Sequence, residues 1–347
     1  ALVICLVAIP MLAVPVQATG SFHVSGGSVS SNKGYVEDEV RIYGSWDESH
    51  GRYIYIYYEL YHEDEEDWYY KKVGYDHYDE DSEEYDFDYD FKIPESYKGE
   101  HDILICDDEY SSSSDVIDTL EFTVYPSIEI DDDDGPAGTS VKATGYGWDE
   151  DESKIEIRFY LKAPGTTHYD DDAYYEVVAS ESIEINNHID HHGTWEKDVT
   201  FKVPPASKGD HWIYAVGDET DSIKTDKIKG VKFEVLPGIT LDKESGGFGE
   251  TITVTGSGFK ANETKIKILF DGNAVKEDII ADENGLWEGT FEVLEATKGT
   301  HKVDAEGRYT RKADIDDVEF EIAPGLVIDP TEGHVGTTIS VSGGGFP

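Results

Sequence analysis

Cysteine, methionine and positive charge are all scarce in these 347 residues. The cysteines are Cys5 and Cys106. Cys5 lies in a leader-like segment, so a processed chain keeps only Cys106 and an intramolecular disulfide is excluded. Each domain must then hold together by its core, which suits a prokaryotic surface protein better than a small disulfide-rich module. Lys and Arg number 28 against 75 Asp and Glu, a formal net charge of -47. A nucleic-acid binder needs a basic footprint, so this balance argues against one. Docking on an anionic membrane surface is disfavoured for the same reason. Catalytic signatures are missing too: there is no HExxH, nucleophile elbow, Gly-rich phosphate loop or CxxC. Carboxylate pairs are uninformative among 75 acids. The expectation is a protein that is not an enzyme.

What is present favours β structure. Hydrophobic residues make up 38% and aromatics 12%, enough for packed cores. The 23 Tyr suit half-exposed strands, and 34 Gly with 12 Pro suit many turns. Residues 1–16 form an apolar run, and Val16-Gln17-Ala18 resembles a signal-peptidase site. We expect residues 1–18 to be a signal peptide lacking its basic n-region, and the mature fragment to insert in no membrane. The alternative is a membrane anchor, although Pro10 and Pro15 interrupt a run already short for a span.

Three landmarks recur in one order. The first opens a unit: GTSVKATGYGW at 138–148, GETITVTGSGF at 249–259 and GTTISVSGGGF at 336–346. Thr139, Val141 and Ala143 alternate with Ser140, Lys142 and Thr144, the period of a strand. The Gly-x-Gly allows a bulge or tight turn that aims Trp148, Phe259 or Phe346 into a core. The second landmark is FKIPESYKGEHDI at 91–103, FKVPPASKGDHWI at 201–213 and FEVLEATKGTHKV at 291–303. In it Gly99, Gly209 and Gly299 are expected at positive φ. His101, His211 and His301 recur there too, so they are expected to serve turn or core. The third landmark is an alternating strand ending at Pro126, Pro237 or Pro324, each marking a hand-over to the next unit. We expect units at 19–125, 126–236 and 237–323, with a fourth that begins at 324–347 and continues beyond. The lengths and turn rhythm predict an all-β chain of tandem immunoglobulin-like β-sandwiches in an elongated array.

The opening pattern, carried by Gly249, Gly256, Gly258, Phe259 and their equivalents, resembles IPT/TIG-like immunoglobulin-like repeats of bacterial and archaeal surface proteins. The hairpin Asp282-Glu283-Asn284-Gly285-Leu286-Trp287 fits the same pattern. The first unit departs most, since its opening at 36–46 lacks the Gly-x-Gly. The resemblance implies a secreted or cell-surface structural or adhesive protein, with neighbouring surface-protein subunits as partners.

Candidate binding residues cluster by type. Strand alternation in 85–93 puts Asp86, Asp88 and Asp90 on one face, about 7 Å apart. Asp131, Asp132, Asp133 and Asp134 follow the first hand-over, and Asp149 and Asp151 follow Trp148. Such carboxylates suit calcium, although no EF-hand is formed because the twelfth position from Asp131 is Lys142. The same acidity also suits solubility in high salt or a plainly solvated face. Asp170-Asp171-Asp172 is a weaker run. In 53–61 the alternation aims Tyr53, Tyr55 and Tyr57 outward, where they could stack on extracellular glycans, opposite Ile54, Ile56, Tyr58 and Leu60. His188, His191 and His192 form an HxxHH loop better read as a variable turn than a metal site. An accessory region of a larger secreted enzyme remains the other reading.

Overall fold

The computed structural model describes residues 23–26, 32–45, 53–62, 67–77, 86–162, 173–186 and 192–346. The leader, Asp170–Asp172, His188 and His191 lie outside them, as do the side chains of Asp86 and Asp88. Among the described residues nearly all regular structure is strand, with two short 3-10 turns at Ser113–Asp115 and Lys312–Asp314. No helix there is long and apolar enough to cross a membrane.

One arrangement of eight strands is built three times. In the third unit, Ser245–Gly247, Val318–Ala323, Gly299–Glu306, Ile266–Phe270 and Asn273–Ile279 lie in that order in one sheet. Gly238–Leu241, Thr251–Ser257 and Trp287–Glu292 form the other sheet. The second unit repeats this with Asp134–Gly135, Val231–Val235, Gly209–Gly217, Lys154–Tyr160 and Tyr175–Ser182. Its smaller sheet is Val199–Lys202, Ser140–Tyr146 and Ser127–Ile130. The first unit repeats it again with Lys33–Gly34, Val116–Val124, Gly99–Cys106, Tyr53–His62 and Asp67–His77. Its smaller sheet is His23–Gly26, Glu39–Ser45 and Asp86–Lys92. In each larger sheet a two- or three-residue edge strand pairs in parallel with the strand that closes the unit. A last hairpin pairs Gly325–Asp329 with Ser340–Gly344, as the opening strands of the preceding units pair.

Period-2 alternation explains the cores. In Thr251–Ser257 the residues Ile252, Val254 and Gly256 are buried, while Thr251 and Thr255 face water. Ile252, Val254, Phe259, Ile266, Ile268, Trp287, Phe291 and Phe320 meet in one cluster. Each such buried side chain contributes about 1.5–3 kcal/mol. Ile54, Ile56, Tyr58 and Leu60 are buried in the first unit, as the alternation requires. Trp148 and Phe259 are fully buried, as expected for the landmark aromatic, whereas Phe346, expected in a core as well, is 50% exposed, its own unit supplying only a hairpin among the described residues.

By backbone proximity the chain divides into two compact parts. One gathers the described residues up to Pro126 with Tyr146–Glu150 and Ile185–Thr194. The other holds Ser127–Gly145, Asp151–Glu184 and the described residues from Trp195 onward.

Candidate functional site

The first two landmarks, far apart in sequence, meet in space. In the second compact part, the turn 204–208 receives residues 258–259. Gly258 N donates to the Ala206 carbonyl at 2.9 Å, and Lys208 N donates to the Phe259 carbonyl at 3.1 Å. Phe259 N in turn donates to the Gly285 carbonyl at 3.3 Å, which ties in the Asp282–Trp287 hairpin. Asp282 Oδ1 fixes that hairpin by accepting from Asn284 N and Leu286 N. The final hairpin uses the equivalent turn of the preceding unit, where Gly345 N donates to the Ala296 carbonyl at 2.9 Å. The first compact part contains the same contact. There the turn 94–98 receives residues 147–148, with Lys98 N donating to the Trp148 carbonyl at 3.2 Å. Trp148 N donates to the Gly193 carbonyl at 2.9 Å, and the Thr194 hydroxyl donates to the Glu95 carboxylate at 2.5 Å. His192 is buried nearby, its ring 5.6 Å from Tyr97 and 6.3 Å from Tyr69.

This contact explains the second glycine of Gly-x-Gly. Gly147, Gly258 and Gly345 have φ of +69°, +71° and +75°. A Cβ at Gly258 would strike the Leu236 carbonyl, and one at Gly345 the Ala323 carbonyl. At Gly147 it would lie 2.8 Å from the Tyr125 carbonyl. The first glycine makes room for a side chain, because at Gly256 the space of a Cβ is filled by the Trp287 indole. In the receiving turn Gly99, Gly209 and Gly299 adopt φ of +130°, +118° and +137°, the positive values the Lys-Gly pattern predicts.

The recurring histidine braces that turn from below. His101 Nε2 lies 2.8 Å from the Tyr97 carbonyl, His211 Nε2 2.7 Å from that of Ser207, and His301 Nε2 2.8 Å from that of Thr297. Each imidazole also stacks on a ring one strand away, on Tyr58, Phe159 or Phe270, at 5.2–5.3 Å. The Nδ1 partners differ. They are the Glu59 carbonyl at 3.2 Å, the Tyr160 carbonyl at 2.8 Å and the Asp271 carboxylate at 2.7 Å. Two effects oppose each other at His101 and His301. Burial pushes His101 below the usual histidine value, and its two carbonyl partners only partly offset this. Burial also acts on His301, but the Asp271 carboxylate outweighs it and raises the pKa.

Among the described residues no three His, Cys, Asp or Glu side chains converge as a metal site. Asp131, Asp132, Asp133, Asp134 and Asp151 are exposed and Asp149 is half-buried. Asp131 Oδ1 accepts from Lys142 N at 2.7 Å, as Asp242 Oδ1 accepts from Thr253 N at 2.8 Å in the next unit. The first Asp of the run therefore fastens a strand pair. Backbone pairing sets Asp86, Asp88 and Asp90 opposite Ser45, Tyr43 and Arg41. Asp90 holds Arg41 in a forked ion pair at 2.8 and 3.0 Å, so that carboxylate already has a cation.

The tyrosine row needs a correction. Tyr53 is 46% exposed and Tyr55 half-buried, but Tyr57, expected outward, is only 7% exposed. It packs with Leu104 and Cys106 under Tyr70 and Tyr110, and its hydroxyl accepts from Tyr110 N at 2.9 Å. The alternation is right; the loop carrying Tyr110 covers this end of the outer face. The aromatic row on that face is instead exposed Tyr53, Tyr75 and His77 with half-buried Tyr55, with neighbouring centroids 6.2–6.4 Å apart and planes tilted by 33–34°. Tyr75 and His77 were missed because only register, Tyr55 to Tyr75 and Tyr53 to His77, reveals them. Two buried glutamates, Glu152 and Glu263, were missed as well, since each looks like one acid among many.

Comparison with known proteins bears out the resemblance for the third unit: residues 239–308 match the family model described as IPT/TIG domain. No curated protein sequence matches the chain. Among solved structures it is similar to an Escherichia coli alpha-2-macroglobulin, at 9% identity and a TM-score of 0.23. That alignment covers 89% of this chain but 34% of the other, so the chain spans about a third of that protein. The BSP domain of a biofilm-associated protein aligns at 12% identity and a TM-score of 0.19, covering 90% of this chain and 67% of that one. A putative membrane-anchored protein from Corynebacterium diphtheriae gives 12% and 0.22, with 84% and 67% covered. Scores this low leave the functional argument to the chain's own geometry.

Proposed function

We propose that this chain is a structural spacer of a secreted or cell-surface protein, built of immunoglobulin-like repeats whose hand-over is fixed by backbone hydrogen bonds. The supporting observation is the contact between the Lys-Gly turn and the Gly-x-Gly aromatic, kept at 204–208 with 258–259, at 94–98 with 147–148, and by Ala296 with Gly345. Backbone-to-backbone bonds at a junction restrict bending in a way that side-chain contacts on a flexible linker do not. The acidic surface suits an exported protein that must stay dispersed. The reading assigns no catalysis to the chain. It is tested by 15N relaxation on the whole chain. Residues 127–235 and 238–323 should tumble with one correlation time, and two well-separated values would overturn a fixed hand-over. Protease shaving of intact cells tests the location: the chain should be lost from the surface while cytoplasmic markers persist.

A second reading rests on Tyr53, Tyr55, Tyr75 and His77. Their rings follow one another at 6.2–6.4 Å, with Lys72 Nζ 4.4 Å from the centre of the Tyr55 ring and 5.4 Å from that of Tyr75, and the exposed Tyr53, Tyr75 and His77 suit the apolar face of a pyranose. Neutral or amino sugars fit a chain of net charge -47 better than anionic ones. A glycan array probed with the whole chain and with Tyr75→Ala tests it. Signal lost in the variant supports the site, and an array blank at millimolar glycan removes it.

A further inference from the structure

Asn262-Glu263-Thr264 is an Asn-x-Thr triplet whose middle residue is not proline, the acceptor motif for an N-linked glycan. The chain has six asparagines, and no other is followed two residues later by Ser or Thr. The triplet lies between the landmark aromatic Phe259 and the strand Ile266–Phe270. Asn262 is exposed and sits at φ +57°, a left-handed conformation that Asn tolerates better than most residues. Its backbone N–H donates to the Asp282 carbonyl at 2.8 Å. Glu263 points the other way. It is 1% exposed, and its carboxylate accepts from Lys260 N, Tyr309 N, Thr310 N and the Thr310 hydroxyl at 2.6–3.1 Å. The turn is thus pinned from inside through Glu263 and presents Asn262 outward. A bulky group on Asn262 needs no room in the core.

The second sandwich shows what the turn itself requires. Its equivalent triplet, counted from Trp148, is Asp151-Glu152-Ser153. Glu152 is 3% exposed and accepts from Glu219 N at 2.9 Å, so the buried glutamate is the part that both turns share. The Ser153 hydroxyl has a local task, since it donates to the Asp218 carboxylate at 2.5 Å. In the third sandwich Arg308 follows the equivalent glycine where the second has Asp218, so Thr264 meets no carboxylate at that position. An exposed Asn with a hydroxyl two residues on is what the turn does not need and the acceptor motif does.

We infer that Asn262 carries an N-linked oligosaccharide. This rests on the reading of the chain as exported, because the donor is a polyprenyl-phosphate-linked oligosaccharide at the outer side of a membrane. In the transfer Asn262 Nδ2 bonds to the anomeric carbon of the first sugar. The bond from that carbon to the phosphate oxygen breaks, the amide gives up one proton, and the polyprenyl phosphate leaves. The glycan stands beside Lys260, itself exposed, and shields the turn from cleavage there.

The test is mass spectrometry, with electron-transfer fragmentation, of the chain recovered from the surface of the cells that make it. The peptide containing Asn262 should be heavier than its sequence by a whole number of sugar residues, with the added mass on Asn262. Thr264→Ala should lose the adduct although Asn262 is untouched, and Thr264→Ser should keep it. A bare Asn262 in chain that protease shaving places on the surface would overturn the glycan and leave the export reading standing. A chain that shaving leaves inside the cell would overturn the export reading, and the glycan with it. An adduct that persists in Thr264→Ala would overturn the assignment to this motif.

Discussion

Single residues at equivalent positions need not behave alike, and the three histidines show this. His301 is raised because Asp271 supplies a carboxylate where the other units supply a carbonyl. Its contribution is therefore fully present below pH ~6.5 and is lost as pH rises through the higher folded value. His101 has the opposite sign. Its folded value is lowered, so folding is weakened as pH falls through ~6.5 and the imidazole is driven to charge. In an NMR titration the His301 ring should therefore have its midpoint above 6.5 and the His101 ring below it; the reverse order would refute this assignment. Asp271→Asn suits the backbone, since φ is +47° there and Asn tolerates that region. It should cost about 1 kcal/mol at pH 6, discounted for partial exposure, and much less at pH 9. Equal losses at both pH values in urea melts would rule out the ionic account. Cys106 gives a simpler case. It is fully buried, and burial with nearby Asp115 and Asp107 pushes the thiol up to about 12. Mass mapping should find it unmodified by iodoacetamide in the native chain at pH 8 and modified in guanidinium. Rapid native labelling would contradict that burial.

At the scale of elements, the hand-over turn rests on a glycine whose φ and surroundings both exclude a side chain. Two glycines separate these effects. Gly258 has φ +71° with the Leu236 carbonyl in the way, whereas Gly272 has φ +78° with open space around it. Gly272→Ala should cost the backbone term alone, about 1–2 kcal/mol. Gly258→Ala should cost at least twice as much and disturb the environment of Trp287, read by denaturant unfolding and tryptophan fluorescence. Equal costs would mean that the hand-over yields to a methyl group. Strand existence and facing were legible because period-2 alternation is a local pattern: Val141, Ala143, Ile252 and Val254 are all buried as expected. The purpose of the landmarks was not legible. Gly258 and Ala206 are 52 positions apart, and nothing local says that one donates to the other. Tyr57 was misplaced for a similar reason, because the residues that cover it lie on another strand and a distant loop.

For the whole molecule, charge decides the response to salt. Surface ion pairs such as Lys92 with Glu37 at 2.7 Å and Lys232 with Asp210 at 2.8 Å weaken as salt rises. Both partners of each pair are well exposed, so water and salt screen the attraction and neither pair holds the fold together. Repulsion works the other way. With 75 acids and 28 bases, 47 carboxylates have no basic side chain left to pair with even if every base is used. Compaction brings those charges together, so their mutual repulsion destabilises the folded chain at low salt. The Debye length shrinks from about 10 Å at 0.1 M to about 3 Å at 1 M, less than the separation of most surface charges. Screening therefore removes more repulsion than attraction. The melting temperature should climb steadily from 0.05 to 1 M NaCl at pH 7.5, and by less at pH 4.5, where part of the carboxylates is already neutral. A scanning-calorimetry series at the two pH values measures both slopes. A melting temperature that falls with NaCl would show that local ion pairs outweigh the net charge.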